Sequence, residues 1–340
     1  MDGIAALSEI AYWMERERAE TRRVEAYRKA AWALIALPAG ELQDRIAAGS
    51  LTEVPSVGKS TSAVVMEASR GGAIPKKLAE LRQRGTAPLA TGGEQLRAQL
   101  RGDLHSHSNW SDGGSPIEEM VEAARRVGHA YLALTDHSPR LTIARGLTPE
   151  RLAEQLGVVA EINEGYDDFR LLPAIEVDIL EDGGLDQTAE MLRQLDVVVS
   201  SVHSKLRSDS ETMTLRMVRA IAHPFTNVLG HCTGRLVEGS RGLRPESQFD
   251  AEVVFAACAQ FDVAVEINSR PERRDPPSRL IELALQAGCL FSIDTDAHAP
   301  GQLAFQDYGC ARAAANGVPA ERIVNTWPLD RLLDWTHTKR

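Results

Sequence analysis

Cysteine is scarce and never paired in sequence: Cys232, Cys258, Cys289 and Cys310 stand far apart and no CxxC occurs. That excludes a disulfide scaffold and predicts reduced core thiols in a cytoplasmic protein. No apolar run approaches the roughly 20 residues of a membrane span. The first residues, MDGIAALSEIAYWMERERAETRR, are amphipathic and charged, without the apolar stretch of a signal peptide. Internal repeats and low-complexity tracts are missing too. These absences exclude a membrane protein, a coiled coil and a disordered tail.

What is present is ordinary in amount and uneven in distribution. The 340 residues suit about two domains. Apolar residues at 43% and charged residues at 25% are usual for a globular protein with a buried core. The net charge is −10, yet residues 1–84 hold 13 basic and 11 acidic residues, so the remainder carries −12. Such a chain is not a general nucleic-acid binder. An acidic excess with nine histidines suits a protein that holds divalent cations.

Three stretches differ in pattern. Residues 5–84 read as helical, with Ala-rich periodic segments near 5–36, 40–48, 59–70 and 75–84, punctuated by Pro38, Gly40, Pro55, Gly58, Gly71 and Gly72. Residues 85–101 read as a linker. From Asp103 onward, short apolar strands alternate with helices. Strands are predicted at 131–137, 170–178, 196–203, 226–231, 264–268 and 290–296, and helices at 116–127, 148–163, 186–194, 211–222, 248–261 and 278–287. The alternation predicts parallel strands with crossover helices in a barrel-like α/β domain.

Histidines and acids recur at the C-terminal ends of those strands: His105 and His107 in DLHSH, Asp136 and His137 in LALTDH, Glu176 in PAIEVD, His203 in VVVSSVH, His231 in NVLGH, and Asp296 and His298 in SIDTDAH. In an α/β barrel those ends converge on one face. One such histidine would pass as a core residue. A whole set could not stay unpaired in one pocket, because buried polar groups without partners are costly. Divalent metals satisfy them, and mixed imidazole and carboxylate donors fit Zn²⁺, Mn²⁺ or Fe²⁺ better than Ca²⁺. His105 and His107 alternate by two and leave one face of an extended strand end, as do Asp296 and His298. Asp112, in NWSDGG, lies on a loop that can swing back to the site.

DLHSHSNWSDG, LALTDHS, IEVDIL, SSVHS, GHCTGR, EIN and DTDAH together resemble the ordered motifs of the PHP (polymerase and histidinol phosphatase) superfamily, from about Gly102 to Leu333. TDHSPRLTIARGL, IEVDILEDGGLD, GHCTGRL and VNTWPLDRLLDW resemble the PHP domain at the C-terminus of bacterial family X DNA polymerases. The resemblance implies a distorted barrel of seven βα units, similar to a TIM barrel, with three divalent ions. One would sit on His105, His107, Glu176 and Asp296, a second on Glu176, His203 and His231, and a third on Asp112, His137 and His298.

Divalent ions of that kind activate water and hold phosphate oxygens, as in-line phosphoester hydrolysis requires. A phosphate also wants cationic forks. Arg145 and Arg235 are the first candidates, ahead of Arg140, Lys205 and Arg270. No GxSxG elbow is present and no cysteine has an activating setting, so no separate nucleophile is expected. His129, His223 and His337 read as structural, helix-capping and solvated.

LTEVPSVGKSTSAVV (51–65) places an apolar-Pro-x-Val-Gly-Lys turn between helical segments and resembles a helix-hairpin-helix motif. In that motif backbone N–H groups near Val57, Gly58 and Lys59 would face a DNA phosphate. With VEAYRKAAWALIALP (24–38), residues 5–84 resemble the small N-terminal domain of family X polymerases. Two departures follow. The lyase lysine of that family falls on Val64 and a supporting lysine on Ser60, so no deoxyribose-phosphate lyase is expected. The short segment before the barrel leaves no room for a polymerase palm.

The expected organisation is an all-α helix-hairpin-helix domain (1–84), a linker (85–101) and a PHP domain (102–340). The expected function is metal-dependent phosphoester hydrolysis at DNA ends, of the 3′-5′ exonuclease or 3′-phosphatase type. A small-molecule phosphatase of the histidinol-phosphatase kind and a non-catalytic DNA-binding module are the alternatives. Oligomeric state is left open.

Overall fold

The computed structural model describes residues 1–239 and 242–338. It divides into two compact units, Met1–Pro88 and Leu89–Arg340.

The first unit is helical. It contains α1 (Gly3–Arg16), α2 (Thr21–Ile35), α3 (Glu41–Ala48), α4 (Lys59–Ser69) and α5 (Lys76–Gly85). The Asp2 carboxylate starts α1 by accepting from the Ala5 N–H. The continuous pattern at 5–36 resolves into two helices, broken where Arg18 takes a left-handed conformation (φ 58°). Leu7, Ile10, Leu34, Leu51, Val65 and Leu78 fill the core. Gly85 closes α5 against the Trp13 ring, where a Cβ would lie 2.2 Å from a ring carbon.

The segment read from sequence as a linker is not a tether beyond Pro88. Residues 94–97 form a short helix, α6 (Glu94–Arg97), and Leu96 and Leu100 join the core of the second unit. Gly93 approaches α13 (Gln306–Ala315) so closely that a Cβ would sit 2.3 Å from the Ala311 nitrogen. Two leucines at i and i+4 anchor this stretch, and its Gly/Thr/Ala-rich composition masks them.

The second unit is built on seven parallel strands in sequential order: β1 (Gly102–Ser106), β2 (Tyr131–Leu134), β3 (Arg170–Asp178), β4 (Val197–Ser201), β5 (Val228–Leu229), β6 (Ala264–Asn268) and β7 (Phe291–Asp294). The sheet curls until its ends meet. The His107 N–H donates to the Ala297 carbonyl at 2.8 Å, and Ser106 bridges Ala297 in parallel. The result is a nearly closed, distorted (βα)7 barrel. Crossovers are α7 (Ile117–Arg126), α8 (Pro149–Asn163), α9 (Ala189–Leu192), α10 (Ser210–Ile221), α11 (Ala251–Gln260) and α12 (Ser278–Gln286). After α13 the chain ends in α14 (Leu329–His337). The helix expected over 186–194 shortens to α9, and β5 to two residues.

Strands such as Val197–Ser201 are buried throughout, because helices cover the outside and side chains fill the inside. Ile175, Val198, Phe255 and Ile281 pack between strands and helices. Inside, Leu104, Tyr131, Leu172 and Val199 meet Val324, Trp327, Leu332 and Trp335 of the C-terminal segment, which plugs the end where the strands begin. All four cysteines are buried and none forms a disulfide, and burial pushes the Cys289 and Cys310 thiols up to about 12. No helix among the described residues is long and apolar enough to cross a membrane.

Candidate metal centre

The strand period of two builds the site. On β3, Leu172 and Ala174 face the interior near its floor and Glu176 continues the same face toward the mouth. β1 delivers His105, and its extension delivers His107. His137, His203 and His231 lie just beyond β2, β4 and β5, and Asp296 and His298 just beyond β7.

Nine imidazole and carboxylate groups meet there in four overlapping sets: His107, Asp112, His137 and His298; His105, His107 and Asp296; His105, Glu176 and His231; and His137, Glu176 and His203. Within each set the donor atoms lie within 4.8 Å of one another. Glu176 is the hub. Its Oε1 is 2.8 Å from His231 Nε2 and 3.2 Å from His203 Nε2. Its Oε2 is 2.9 Å from His137 Nδ1 and 3.3 Å from His105 Nε2. Asp296 Oδ1 is 3.3 Å from His107 Nε2, and Asp112 Oδ1 is 3.3 Å from His298 Nε2. Two of these sets contain groupings that the resemblance implied, His105, His107 and Asp296, and Asp112, His137 and His298; the other two also bring His105 beside His231 and His137 beside His203, because Glu176 stands between both pairs.

Burial works against charge here, and the near neighbours decide the outcome. It would raise Glu176, but His203, His105 and His137 hold that carboxyl well below its usual range. It pushes His107 down to about 3, helped by His298 and His137, and His231 down to about 4, helped by Arg273. Burial opposes charge on His203 as well, yet Glu176 and Asp178 raise it to about 9. His105 Nε2, both ring nitrogens of His107, His137 Nδ1, Glu176 Oε2 and His231 Nδ1 are buried and make no hydrogen bond. Buried polar atoms are almost always satisfied. A cluster of unsatisfied lone pairs with this donor chemistry fits divalent transition metals.

The backbone around the mouth is strained. Among the described residues, Arg145, Lys205, His231, Arg274 and Asp296 adopt positive φ without being glycine. Such conformations persist where surrounding contacts over-determine them, often at functional sites.

Several predicted residues sit elsewhere. Asp136 points away from the cluster and accepts from the Ser108 N–H, the Ser108 and Ser111 hydroxyls and the Gln155 amide, tying down the loop that carries Asp112. The Arg145 guanidinium donates to the Asn109 and Ser111 carbonyls. Arg235 donates to the carbonyls of Arg273 and Arg274 and to Glu246. Both brace loops, Arg235 through all three guanidinium nitrogens and the exposed Arg145 through Nη2. Two arginines reach the cluster: Arg270, whose Nη1 is 2.9 Å from His298 Nδ1 and donates to the Asp296 carbonyl while its Nε lies 3.8 Å from Glu272 Oε2, and Arg273, whose Nε is 3.0 Å from Asp296 Oδ2. The sequence ranked Arg145 and Arg235 ahead of Arg270, but all three follow strand ends and only the fold separates them. His129 is buried with Nε2 2.8 Å from Gln306 Oε1. The His223 ring accepts from the Phe225 N–H, and His337 lies 3.5 Å from Asp196.

In the helical unit, Leu51–Glu53 forms a 3₁₀ turn and Val54–Gly58 leads into α4. Val57 is buried, whereas Gly58 and Lys59 are exposed. Gly58 has φ −95°, and a Cβ there would meet nothing within 4 Å, so no contact inside the protein demands glycine. Val64, at the place of the lyase lysine, is buried. A cavity of about 680 Å³ beside the turn is lined by Arg23, Tyr27, Lys59 and Lys77, among others.

Residues 103–270 match the PHP domain and residues 2–74 a helix-hairpin-helix domain. The DNA polymerase/3'-5' exonuclease PolX of Bacillus subtilis (strain 168) is 34% identical over 227 residues, 67% of this chain and 39% of that protein. The chain thus matches about two fifths of the length of that relative. A probable phosphatase of Thermoanaerobacter sp. (strain X514) is 25% identical over 235 residues, 66% of this chain and 89% of that protein. The histidinol phosphate phosphatase of Lactococcus lactis subsp. lactis, solved with zinc, L-histidinol and phosphate, is 17% identical, with a TM-score of 0.44 over 63% of this chain and 94% of that one.

Proposed function

We infer, from a chain that carries a PHP domain after a helix-hairpin-helix domain, that this protein is a metal-dependent phosphoesterase. The observation that carries the reading is the convergence of nine imidazole and carboxylate groups with Glu176 as their hub, five of them with buried atoms that make no hydrogen bond. His105, His107, Glu176 and Asp296 would hold one ion, Glu176, His203 and His231 a second, and Asp112, His137 and His298 a third. Zn²⁺, Mn²⁺ and Fe²⁺ suit these donors. Bound there, such ions would supply activated water and neutralise phosphoryl charge.

The chain's own groups do the rest. Asp112, His298 and His203 are the more open members, with side chains 37%, 22% and 13% exposed, so substrate enters on their side. Arg270 borders that opening beside His298, and its positive charge suits a phosphate there. Arg273 donates to Asp296 Oδ2 at 3.0 Å and keeps that carboxylate ionised. Arg145 and Arg235 shape the mouth through the carbonyls they hold.

The substrate proposed is a DNA end, trimmed from 3′ to 5′ or relieved of a 3′ phosphate. The helix-hairpin-helix domain and the similarity to the exonuclease-bearing PolX support it. The test is full-length protein loaded with Mn²⁺, offered single-stranded oligonucleotides and nicked duplexes. Shortened or dephosphorylated ends are expected, and intact substrates would overturn the DNA reading. The Gly58 N–H donates to the Thr61 hydroxyl, so Gly58→Val should weaken DNA binding by about 1.5 kcal/mol, roughly tenfold, through its side chain holding a phosphate away from the turn. Cleavage of a small chromogenic phosphodiester should be unaffected. A second reading, a phosphatase of a small metabolite, is favoured by the −12 charge outside residues 1–84, which repels a long polyanion. Turnover of phosphorylated amino alcohols without DNA binding would select it.

A further inference from the structure

The EIN motif on β6 belongs to none of the four donor sets, yet Glu266 and Asn268 are both fully buried on the interior face of that strand. A buried carboxylate is costly unless its oxygens have partners, and apart from Asn268 the partners here are members of the candidate centre. Glu266 Oε1 is 2.6 Å from His105 Nδ1. Glu266 Oε2 accepts the backbone N–H of His231 at 2.5 Å and the Asn268 amide at 3.2 Å. The same amide donates to Asp296 Oδ2 at 3.3 Å. Two side chains from one strand thereby reach groups on β1, after β5 and after β7.

We propose that Glu266 and Asn268 are positioning residues for the metal centre: Glu266 fixes the tautomer of His105 and the backbone of His231, and Asn268 aims the carboxylate of Asp296. The assignment rests on reading the mouth as a metal site. With its Nδ1–H given to Glu266, His105 presents Nε2 as a free lone pair, and that atom makes no hydrogen bond with the protein. His231 sits at φ 20°, a conformation that a strong acceptor on its N–H helps to hold. Asp296, with Oδ2 bound by Asn268 and Arg273, turns Oδ1 toward His107. Partners behind the ligands orient them and raise their basicity, and their loss costs about 10- to 100-fold in metal affinity.

The test uses the full chain, stripped with a chelator and titrated with Zn²⁺ against a chromophoric competitor, and with Co²⁺ followed by its visible spectrum. Glu266→Gln offers an amide that can donate to Nδ1 and so favours the wrong tautomer. It is expected to bind Zn²⁺ about 10- to 100-fold more weakly and to alter the Co²⁺ spectrum. The melting curve of the chelated protein should stay near that of wild type. Glu266→Asp, which keeps a carboxylate, should recover part of the affinity. Wild-type affinity with an unchanged Co²⁺ spectrum in Glu266→Gln would overturn the proposal. If that variant fails to fold, Asn268→Ala decides: weaker Zn²⁺ binding with an unchanged chelated melt supports the proposal, and wild-type binding sinks it. Wild-type protein that takes up no divalent metal at all would instead end the phosphoesterase reading itself.

Discussion

The two ends of the barrel are made by the same strands and obey opposite rules. At the end where the strands begin, Trp327 and Trp335 pack edge to face at 5.8 Å beneath Val199, Val228 and Ala264. The polar tips of Tyr131 and Trp335 there find carbonyl acceptors on Asn325, Trp327 and Asp262. At the other end, lone pairs of His105, His107, His137, Glu176 and His231 are buried without hydrogen bonds. β6 shows the change within five residues: Ala264 belongs to the floor, while Glu266 and Asn268 on the same face belong to the mouth. The floor, where Trp327 Nε1 also lacks a hydrogen bond, is closed by apolar packing. The mouth is arranged to be completed by something else, and it sits in a barrel that tolerates the cost.

That contrast can be broken in three ways. The largest effect is expected from Glu176→Gln, which removes the carboxylate shared by four imidazoles. Hydrolysis should fall to the level of a blank, well beyond the roughly 100-fold loss typical of groups behind the ligands. Bound metal, measured by elemental analysis, should fall with it while the fold persists. Retained turnover would mean that the hub lies elsewhere. Next is Trp335→Ala at the floor, expected to cost about 3–5 kcal/mol in denaturant unfolding and to leave metal content per folded molecule unchanged. Loss of metal at full stability would show that the ends are not separate. The smallest is His107→Leu. It removes a buried imidazole whose nitrogens make no hydrogen bond, so the chelated protein should gain about 1–3 kcal/mol while metal binding drops. A destabilised chelated protein would show that the mouth is satisfied without ions.

Much of this was legible in the chain. The strand-ending motifs are local in sequence, and a parallel βα alternation forces their ends onto one face, so the nine cluster members could be named from pattern and resemblance. What escaped was pairwise. Arg145 and Arg235 ranked ahead of Arg270 for a phosphate, and only the fold shows those two holding carbonyls and Arg270 beside His298. Asp136 stood among the strand-end acids but in none of the implied ligand sets; adjacent residues leave a strand on opposite faces, and it turns to Ser108, Ser111 and Gln155. Leu96 and Leu100 were hidden in a stretch whose composition reads as linker.

The sequence alone determined the alternation of strands and helices, the residue types at each strand end and the donor chemistry they can offer, because these follow from periodicity and side-chain identity. Tertiary structure decided which donor faces which: that Glu176 is the hub, that Glu266 reaches His105 across 161 positions of chain, and that Trp335 seals the far end. The physical reason is that hydrogen bonds and ligand sets are set by distances of a few ångströms, and such distances between remote residues exist only once the sheet has curled and closed.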